Sequence, residues 1–461
     1  MIDPDLVEDV LQAALAGGAR FAEVFAEERS STVIRLDDGR VEEVVAGTDR
    51  GAGVRVFHGE SQAYAYTNRL EADSLREAAA AAASAGRRAT RPATVAGLTA
   101  GPPVRHDVRI AGADVPRERK VAWLREADQA ARAVDTAVRQ VLVAYQESLQ
   151  RVLIATSEGR WAEEERPRIR LVAQAVAARD DVLQTGFEGP AGLGGLEFLE
   201  RHPPAVTGET AARMAVAMLG GRPAPAGQMP VVLAPGGGGI LFHEACGHGL
   251  EADHVHKDAS VFRGRMGESF ASPLVTGVDD GSIPSAWGTN AFDDEGTPTQ
   301  RTVLFDQGTL VSLLYDLLRA RRDGLPSTGN GRRQSYAHLP IPRMTNSSIL
   351  PGTSAPQDVV GDTRRGLYAK TLGGGQVNPA TGDFVFGVAE GYRIEGGRIT
   401  APVRGANLIG NGPQILAAID AVADDFDVRD GICGKEGQGV PVSNGSPTLR
   451  IAEMTVGGTD A

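Results

Sequence analysis

The stretch that most constrains the fold of this chain is His243-Glu244-Ala-Cys-Gly-His248, which brings two imidazoles and a carboxylate together. Such a set is common around a divalent metal and its general base. In the familiar spacing, His-Glu-x-x-His, the histidines stand one helical turn apart on one face. Here they are further apart, so a regular helix would point them about 140° away from each other. The sequence therefore predicts a helix distorted between the histidines, either by a π-type bulge or near Gly247.

A third metal ligand has to come from elsewhere, and the residues alone leave two candidates nearly tied. On a regular helix Glu251 would project between the histidines, about 80° from His243 and about 60° from His248. Cys433 lies far away between glycines, where a thiolate could approach an ion closely. Cys246 is inside the motif, but a regular helix would point it about 160° from His248. The competing interpretation is that both histidines are simply packed helix residues.

Length and composition exclude several classes of protein. A chain of 461 residues is too long for one ordinary core, which favours two domains. The net charge of −12, with no basic block, argues against a nucleic-acid partner. No apolar run is long enough to span a membrane, and the acidic start lacks the apolar segment of a signal peptide. With only two cysteines a disulfide framework is not expected, so we expect a cytoplasmic protein.

The spacing of turns and apolar residues predicts an α+β fold. The 58 glycines suggest many tight turns and hence antiparallel sheet. We expect helices at Pro4–Leu15 and Glu71–Ala85, with short strands at Arg20–Glu28 and Thr32–Leu36 between them. The second of these strands should form a hairpin with Val41–Val45 through a turn at Asp37-Asp38-Gly39.

The Gly- and Pro-rich stretch at 220–227 is typical of a linker, and we place a domain boundary there. Residues 1–224 are then an N-terminal domain of helices and antiparallel sheet. Residues 225–461 are a mainly antiparallel β domain that carries the His-Glu helix. Outside that helix we expect helices at Leu313–Ala320 and Pro413–Val422, and a loop at Gly186–Gly195.

The second half resembles the TldD subfamily of the TldD/PmbA metallopeptidases. The matching stretches occur in the expected order. They are His243–Glu251, Asp293–Pro298, Thr328–Ala337, Pro342–Asn346, Gly405–Pro413 and Cys433–Pro441. The first half is similar in layout but carries weaker signatures.

This resemblance implies that His243, His248 and Cys433 bind zinc and that Glu244 is the general base. It also implies a cytoplasmic peptidase that cuts small or unfolded peptides, ribosomally made peptide precursors among them. The expected partner is a TldE/PmbA-type subunit in a heterodimer, with a homodimer as the alternative. The competing hypothesis is a non-catalytic, peptide-binding subunit of such an assembly.

Three further features carry weaker hypotheses. The glycines at 236–239 follow a strand and precede a helix, as in a phosphate-binding loop, but the rest of such a motif is missing. The glycines at 373–375 could pair with an extended peptide or form a bulged strand end. Donors for an oxyanion could come from Tyr336, His338, and Arg332 or Arg333, unless this segment is only a structural turn.

Overall fold

The computed structural model describes residues 2–84 and 93–458. In the first half, eight strands form one sheet. They are β1 (Phe21–Asp37), β2 (Arg40–His58), β3 (Ser61–Thr67), β4 (Val104–Arg105), β5 (Val138–Thr156), β6 (Trp161–Arg179), β7 (Val182–Glu188) and β8 (Ala191–Leu193). The order is β3-β2-β1-β5-β6-β4, with β7 and β8 also paired to β6. Every pairing is antiparallel except that of β4 with β6.

The strands of this sheet are longer than the sequence predicts. The expected segments Arg20–Glu28 and Thr32–Leu36 belong to one strand of 17 residues, β1. The hairpin turn after it is confirmed, because Asp38 and Gly39 have φ angles of 50° and 78° between β1 and β2. Polar residues in the middle of β1 looked like a break, but its neighbours on both sides supply the hydrogen bonds that continue the strand.

Helices cover one face of this sheet. They are α1 (Pro4–Leu15), α2 (Ala72–Ser84), α3 (Arg117–Ala133), α4 (Phe198–Arg201) and α5 (Pro204–Leu219), with a 3₁₀ turn at Gly112–Asp114. Asp3 caps α1 by accepting a hydrogen bond from the Asp5 amide, and Pro4 occupies the first turn. Alternate β1 residues, such as Val24 and Ile34, face these helices. The prediction for α2 is confirmed as far as Ser84, and its expected last residue, Ala85, lies outside the described residues.

The second half contains sixteen of the strands in the described ranges. They are β9 (Arg222–Pro223), β10 (Gly227–Leu233), β11 (Gly277–Asp280), β12 (Arg301–Asp306), β13 (Thr309–Leu310), β14 (Gly331–Arg332), β15 (Ile341–Pro342), β16 (Asn346–Ile349), β17 (Arg365–Asn378), β18 (Asp383–Glu395), β19 (Arg398–Arg404), β20 (Asn407–Asn411), β21 (Ile419–Val422), β22 (Asp427–Lys435), β23 (Gln438–Ser446) and β24 (Leu449–Gly457). One sheet has the order β17-β10-β24-β20-β18-β19-β9. Because β17 also pairs with β18, the five strands from β17 to β18 in this order form a closed ring. A second sheet has the order β13-β12-β11-β16-β23-β22, and β14 pairs with β15.

Short helices connect these strands. They are α6 (Gly237–Ala245), α7 (Ala252–His256), α8 (Leu317–Asp323), α9 (Pro356–Gly361) and α10 (Gly412–Ala417), with a 3₁₀ turn at Gly247–Leu250. The α+β fold class is confirmed, with a second half rich in antiparallel strands. No helix among residues 2–84 and 93–458 is long and apolar enough to cross a lipid bilayer. The domain boundary after residue 224 stays a prediction.

Three local predictions were wrong. The helix expected from Leu313 begins at Leu317, because Asp316 caps it by accepting from the Arg319 amide. The helix expected over Pro413–Val422 ends at Ala417, and its last residues pair with β24 as β21. The expected loop at Gly186–Gly195 contains β8, which pairs with β6.

Candidate metal centre

The His-Glu segment is broken between its two histidines. Helix α6 ends at Ala245, and Cys246 leaves the helical conformation with φ −128° and ψ −47°. A 3₁₀ turn from Gly247 to Leu250 then carries His248. The predicted distortion is confirmed, and it is a break in the helix followed by a tighter turn.

The glycines that start α6 allow it to approach β23 closely. A Cβ atom on Gly239 would lie 2.6 Å from the backbone nitrogen of Gly445, and one on Gly238 would lie 2.4 Å from the Leu449 side chain. Only glycine fits where two backbones come this close. Helix packing therefore accounts for the run that resembled a phosphate-binding loop.

Cys433 reaches this helix from the edge of the second β-sheet. It lies on β22, opposite Val440 of β23 in an antiparallel ladder. Its carbonyl oxygen accepts a hydrogen bond of 2.6 Å from Nη2 of Arg343, whose side chain is fully buried. The buried guanidinium thus fixes the backbone on which the thiol is carried.

The side chains of His243, His248 and Cys433 converge. The Cys433 sulfur lies 3.2 Å from Nε2 of His243 and 3.4 Å from Nε2 of His248. The three ligand atoms all lie within 4.8 Å of one another, and all three residues are buried. The imidazole rings are nearly perpendicular, at 84°. Two nitrogen donors and one sulfur donor therefore face a single point.

The other ring nitrogen of each histidine has a partner of its own. Nδ1 of His243 lies 3.1 Å from Oγ of Ser347, and that hydroxyl donates to Oδ1 of Asn444 at 3.2 Å. Nδ1 of His248 lies 3.0 Å from a carboxylate oxygen of Glu251. In a neutral ring with Nδ1 as the donor, Nε2 would present its lone pair on the side of the Cys433 sulfur, as a metal ligand must.

The electrostatics of the cluster favour the thiolate. Burial raises the pKa of a thiol, but the two imidazoles outweigh it and lower the pKa of Cys433 to about 4. Burial opposes charge on His248 as well, yet Glu251 and the Cys433 sulfur raise its pKa well above the usual value. A cysteine with so low a pKa is in the form that ligates metals.

Glu244 lies at the accessible side of the cluster. Its carboxylate is 3.8 Å from Nε2 of His248, and its side chain is 36% exposed, against 9% for that histidine. It is therefore the one acidic group of the motif that a molecule entering from solvent would meet beside the converging ligand atoms.

The remaining candidates of the motif lie elsewhere. Cys246 is fully buried in the apolar core of the second half, as a small packed residue is expected to be. Burial raises the pKa of its thiol. Glu251 does not join the three converging atoms but contacts the far nitrogen of His248. The same carboxylate lies 3.0 Å from the ammonium of Lys435, which together with His248 lowers the pKa of Glu251 against the effect of burial.

The donors of the segment considered for the oxyanion are already engaged, two of them in contact with the first sheet. Nη1 of Arg332 donates to the Met344 carbonyl, and Arg333 donates to Glu23 of β1 at 2.5 Å. The Tyr336 hydroxyl lies 3.2 Å from Asp49 of β2. His338 pairs through Nδ1 with Ser335. These contacts support the structural interpretation of this segment.

Buried ion pairs continue along that contact. Arg55 of β2 reaches Glu23 at 2.5 Å and Glu295 at 2.6 Å, all with fully buried side chains. Arg166 of β6 reaches Glu164 at 2.9 Å and Asp294 at 2.6 Å. Because Asp294 and Glu295 belong to the second half, these pairs join the two halves of the chain.

Sequence reasoning missed Ser347 and Lys435. Ser347 comes directly after Pro342–Asn346, one of the stretches that resemble the family. The serine itself carries no charge and belongs to no motif. Lys435 stands two residues after Cys433 on the same strand and so projects from the same face. That spacing was a usable signal for Lys435, whereas nothing in the sequence indicated Ser347.

Two imidazoles from a broken helix and a thiol from a distant strand form a donor set of the kind that metalloproteins use. The chain belongs to the PmbA/TldA metallopeptidase family. Models of its domain 1, central domain and C-terminal domain match residues 22–86, 111–219 and 226–458. The family indicates a metalloprotease, and the resemblance to TldD seen in the sequence is confirmed.

Two relatives are similar over nearly the whole chain. The metalloprotease TldD homolog of Haemophilus influenzae is 41% identical, over 92% of this chain and 90% of that protein. The zinc metalloprotease TldD homolog of Saccharolobus solfataricus is 27% identical, over 96% of this chain and 97% of that protein.

Solved structures share the fold. A candidate modulator of DNA gyrase from Thermotoga maritima superposes with a TM-score of 0.81 at 22% identity, over 98% of this chain and 99% of that one. TldE from Thermococcus kodakarensis gives 0.77 at 17% identity, over 98% and 99%. At these identities the likeness concerns the fold alone.

Proposed function

We propose that this chain is a zinc-dependent peptidase that hydrolyses peptide bonds in small or unfolded peptides, with Glu244 as general base. The observation that carries the proposal is the convergence of two imidazole nitrogens on the Cys433 sulfur at 3.2 and 3.4 Å. The membership in a metallopeptidase family supports the same chemistry.

The donor set fits zinc in number and spacing. Catalytic zinc sites use three protein ligands and leave one position open. Zinc–sulfur and zinc–nitrogen bonds of ordinary length, in a tetrahedral arrangement, would put the two ligand atoms about 3.5 Å apart. The separations between Cys433 and the two histidines are close to that value. A relative of this chain is named as a zinc metalloprotease, which is consistent with that choice of ion.

In the proposed reaction the metal ligands and the general base have separate roles. Zinc, when bound, supplies Lewis-acid activation of water and of the peptide carbonyl. The carboxylate of Glu244 accepts a proton from the attacking water as the water oxygen bonds to the carbonyl carbon. It then donates that proton to the amine nitrogen as the C–N bond breaks, which releases an amine and a carboxylic acid that loses its own proton to solvent. His243, His248 and Cys433 hold the ion, and their hydrogen-bond partners fix the direction of each ligand atom.

We infer further that the working assembly contains a second chain of the TldE/PmbA type, in the cytoplasm, with a homodimer as the alternative. The common fold of this chain and TldE from Thermococcus kodakarensis is compatible with a pseudo-symmetric pair. Copurification of the tagged chain, followed by determination of the mass of the complex, tests this point separately from the chemistry.

The test of the chemistry uses the full chain, alone and with any subunit that copurifies. Zinc is measured by elemental analysis, and cleavage by mass spectrometry of a defined peptide mixture. In Glu244→Gln we expect about one zinc per chain and turnover lowered by about 100-fold or more, because general-base catalysis is lost. In Cys433→Ser both zinc and turnover should be lost, since a serine hydroxyl is a poor ligand at neutral pH.

Unchanged turnover in Glu244→Gln would refute the role of that carboxylate. Undiminished zinc in Cys433→Ser would refute the ligand set. If the wild-type chain holds zinc and binds peptides but cleaves none in any assembly, the non-catalytic binding subunit is the correct assignment.

A further inference from the structure

Behind the candidate metal centre lies a buried ammonium group, that of Lys435. It stands two residues after Cys433 on β22, and its side chain is only 5% exposed. Nζ donates to Oδ1 of Asp253 at 2.6 Å and to the Pro342 carbonyl at 3.1 Å. It also lies 3.0 Å from Oε2 of Glu251. The strand that carries the candidate thiolate ligand is thereby fixed to the segment that follows His248.

One oxygen of Glu251 connects this lysine to the histidine. Oε2 lies 3.0 Å from Nζ of Lys435 and 3.0 Å from Nδ1 of His248. The other oxygen, Oε1, is buried and makes no hydrogen bond within the described part of the chain. The carboxylate is therefore held by these two contacts, and its position decides the direction of the imidazole.

The charges around the lysine are of both signs. Two fully buried carboxylates, those of Glu251 and Asp253, face its buried ammonium. Lys257 approaches Asp253 from the exposed side at 3.7 Å, and His254 lies 3.9 Å from Glu251. A carboxylate at Nδ1 of a histidine fixes the orientation of the ring and raises the basicity of its other nitrogen.

A buried ion pair is by itself weak evidence for stability, because removing two charges from water costs about as much as their attraction returns. Fixing a geometry is the better-attested use of such a pair. Here the pair joins two ligand-bearing segments, since Cys433 and His248 are separated by 185 residues. His243 differs, because its Nδ1 lies against the neutral hydroxyl of Ser347.

We propose that Lys435 and Glu251 are positioning residues that hold His248 and Cys433 in the zinc-binding arrangement before the ion arrives. This inference rests on the proposed zinc site. Lys435 is expected to act through Glu251 and to make no direct contact with the ion or the substrate.

The test measures zinc affinity of the full chain by competition with a chelator, together with the absorption spectrum of the cobalt-substituted protein. We expect Lys435→Met to weaken zinc binding by about 10- to 100-fold and to alter the cobalt bands, because the outer hydrogen bonds of the ligands are lost. Glu251→Gln should weaken it comparably. The double variant should lose less than the product of the two factors, since both act through His248.

Lys257→Met is the matched control. This lysine also reaches Asp253, but from the exposed side and without contact to Glu251. We expect its zinc affinity to stay within about threefold of wild type. Lys435→Arg keeps the charge and should restore most of the affinity lost in Lys435→Met, which a purely steric effect on folding would not do.

The possible results distinguish a failure of the positioning role from a failure of the proposed function. If the wild-type chain binds no zinc, the proposed function fails. If it binds zinc and folded Lys435→Met binds equally well with the same cobalt spectrum, only the positioning role fails. Should Lys435→Met not fold, unchanged affinity in Glu251→Gln would refute the inference in the same way.

Discussion

Two buried regions of this molecule carry charged side chains, and the arrangement of those side chains differs between them. At the contact between the halves of the chain, Arg55 and Arg166 each form ion pairs shorter than 3 Å with two carboxylates. At the candidate metal centre, a thiolate and two imidazoles direct their ligand atoms at one another. Both regions contain stretches that resemble family motifs. Ion pairs between opposite charges suit a structural contact, whereas the convergence of three ligand atoms suits the binding of a metal.

This comparison assigns different costs to substitutions in the two regions. Removing one member of a buried ion pair leaves an uncompensated charge and should affect folding. Removing a group at the candidate metal centre should affect metal binding more than folding, because its three side chains converge as metal ligands do.

The largest effect is expected at Arg55. In Arg55→Met the carboxylates of Glu23 and Glu295 lose a fully buried cation, so the free energy of unfolding should fall by about 3–5 kcal/mol. Chemical denaturation of the full chain as purified measures it. Arg76→Met, which breaks an exposed pair with Asp9, is the control and should cost about 1 kcal/mol or less. Equal losses in the two variants would contradict the structural role of the buried pair.

The second prediction concerns acid and Glu164. Burial raises the pKa of this carboxyl, but Arg166, His106 and a backbone amide outweigh it and lower the pKa to about 2. A folded-state pKa below the unfolded value stabilises the protein above about pH 4.5, and this stabilisation is lost as the pH falls toward 2.

In Glu164→Gln the unfolding free energy should therefore be lower than wild type at pH 7, by on the order of 2 kcal/mol, and the difference should shrink at pH 3. Denaturation at both pH values measures it. The neighbouring Glu165, which is partly exposed and pairs with Arg105 and Arg151 at 3.4 and 3.7 Å, provides the control. Glu165→Gln should cost less at pH 7 and respond to salt. A Glu164→Gln deficit as large at pH 3 as at pH 7 would contradict the ionic origin of the effect.

The sequence predicted those features of the centre that follow from local geometry. The spacing of His243 and His248 cannot be accommodated by a regular helix, so a break could be inferred without any structure. The hairpin turn at Asp38 and Gly39 was likewise local. The tie between Glu251 and Cys433 could not be resolved from the residues, because it depends on β22 lying against α6. Only the family resemblance favoured the cysteine, and its role as a ligand stays a prediction.

Two features that the sequence does not decide depend on distant contacts. Arg332 and Arg333 lie in a motif-like segment that fits either oxyanion donors or a structural turn. Their partners, Met344 and Glu23, show a structural setting that no local pattern could reveal. The long strands β1 and β2 were cut short in the prediction for the same reason, since their polar middle is stabilised by neighbouring strands and not by burial.

The smallest effect is expected at Ser347, and it sharpens the comparison within the metal centre. Its hydroxyl is the neutral counterpart of the charged group behind His248. A neutral hydrogen bond is worth about 0.5–1.5 kcal/mol, so Ser347→Ala should weaken zinc binding by about 3- to 10-fold. Chelator competition measures this loss.

Ser348→Ala is the matched control for that variant. Ser348 is equally buried on the same strand but projects from the opposite face, toward Gly445. Its zinc affinity should match wild type. If Ser347→Ala weakened zinc binding more than Glu251→Gln, charge behind a ligand would not be what holds this site together. The neutral hydroxyl on the His243 side would then be the dominant contact, and the roles assigned to the two histidines would be reversed.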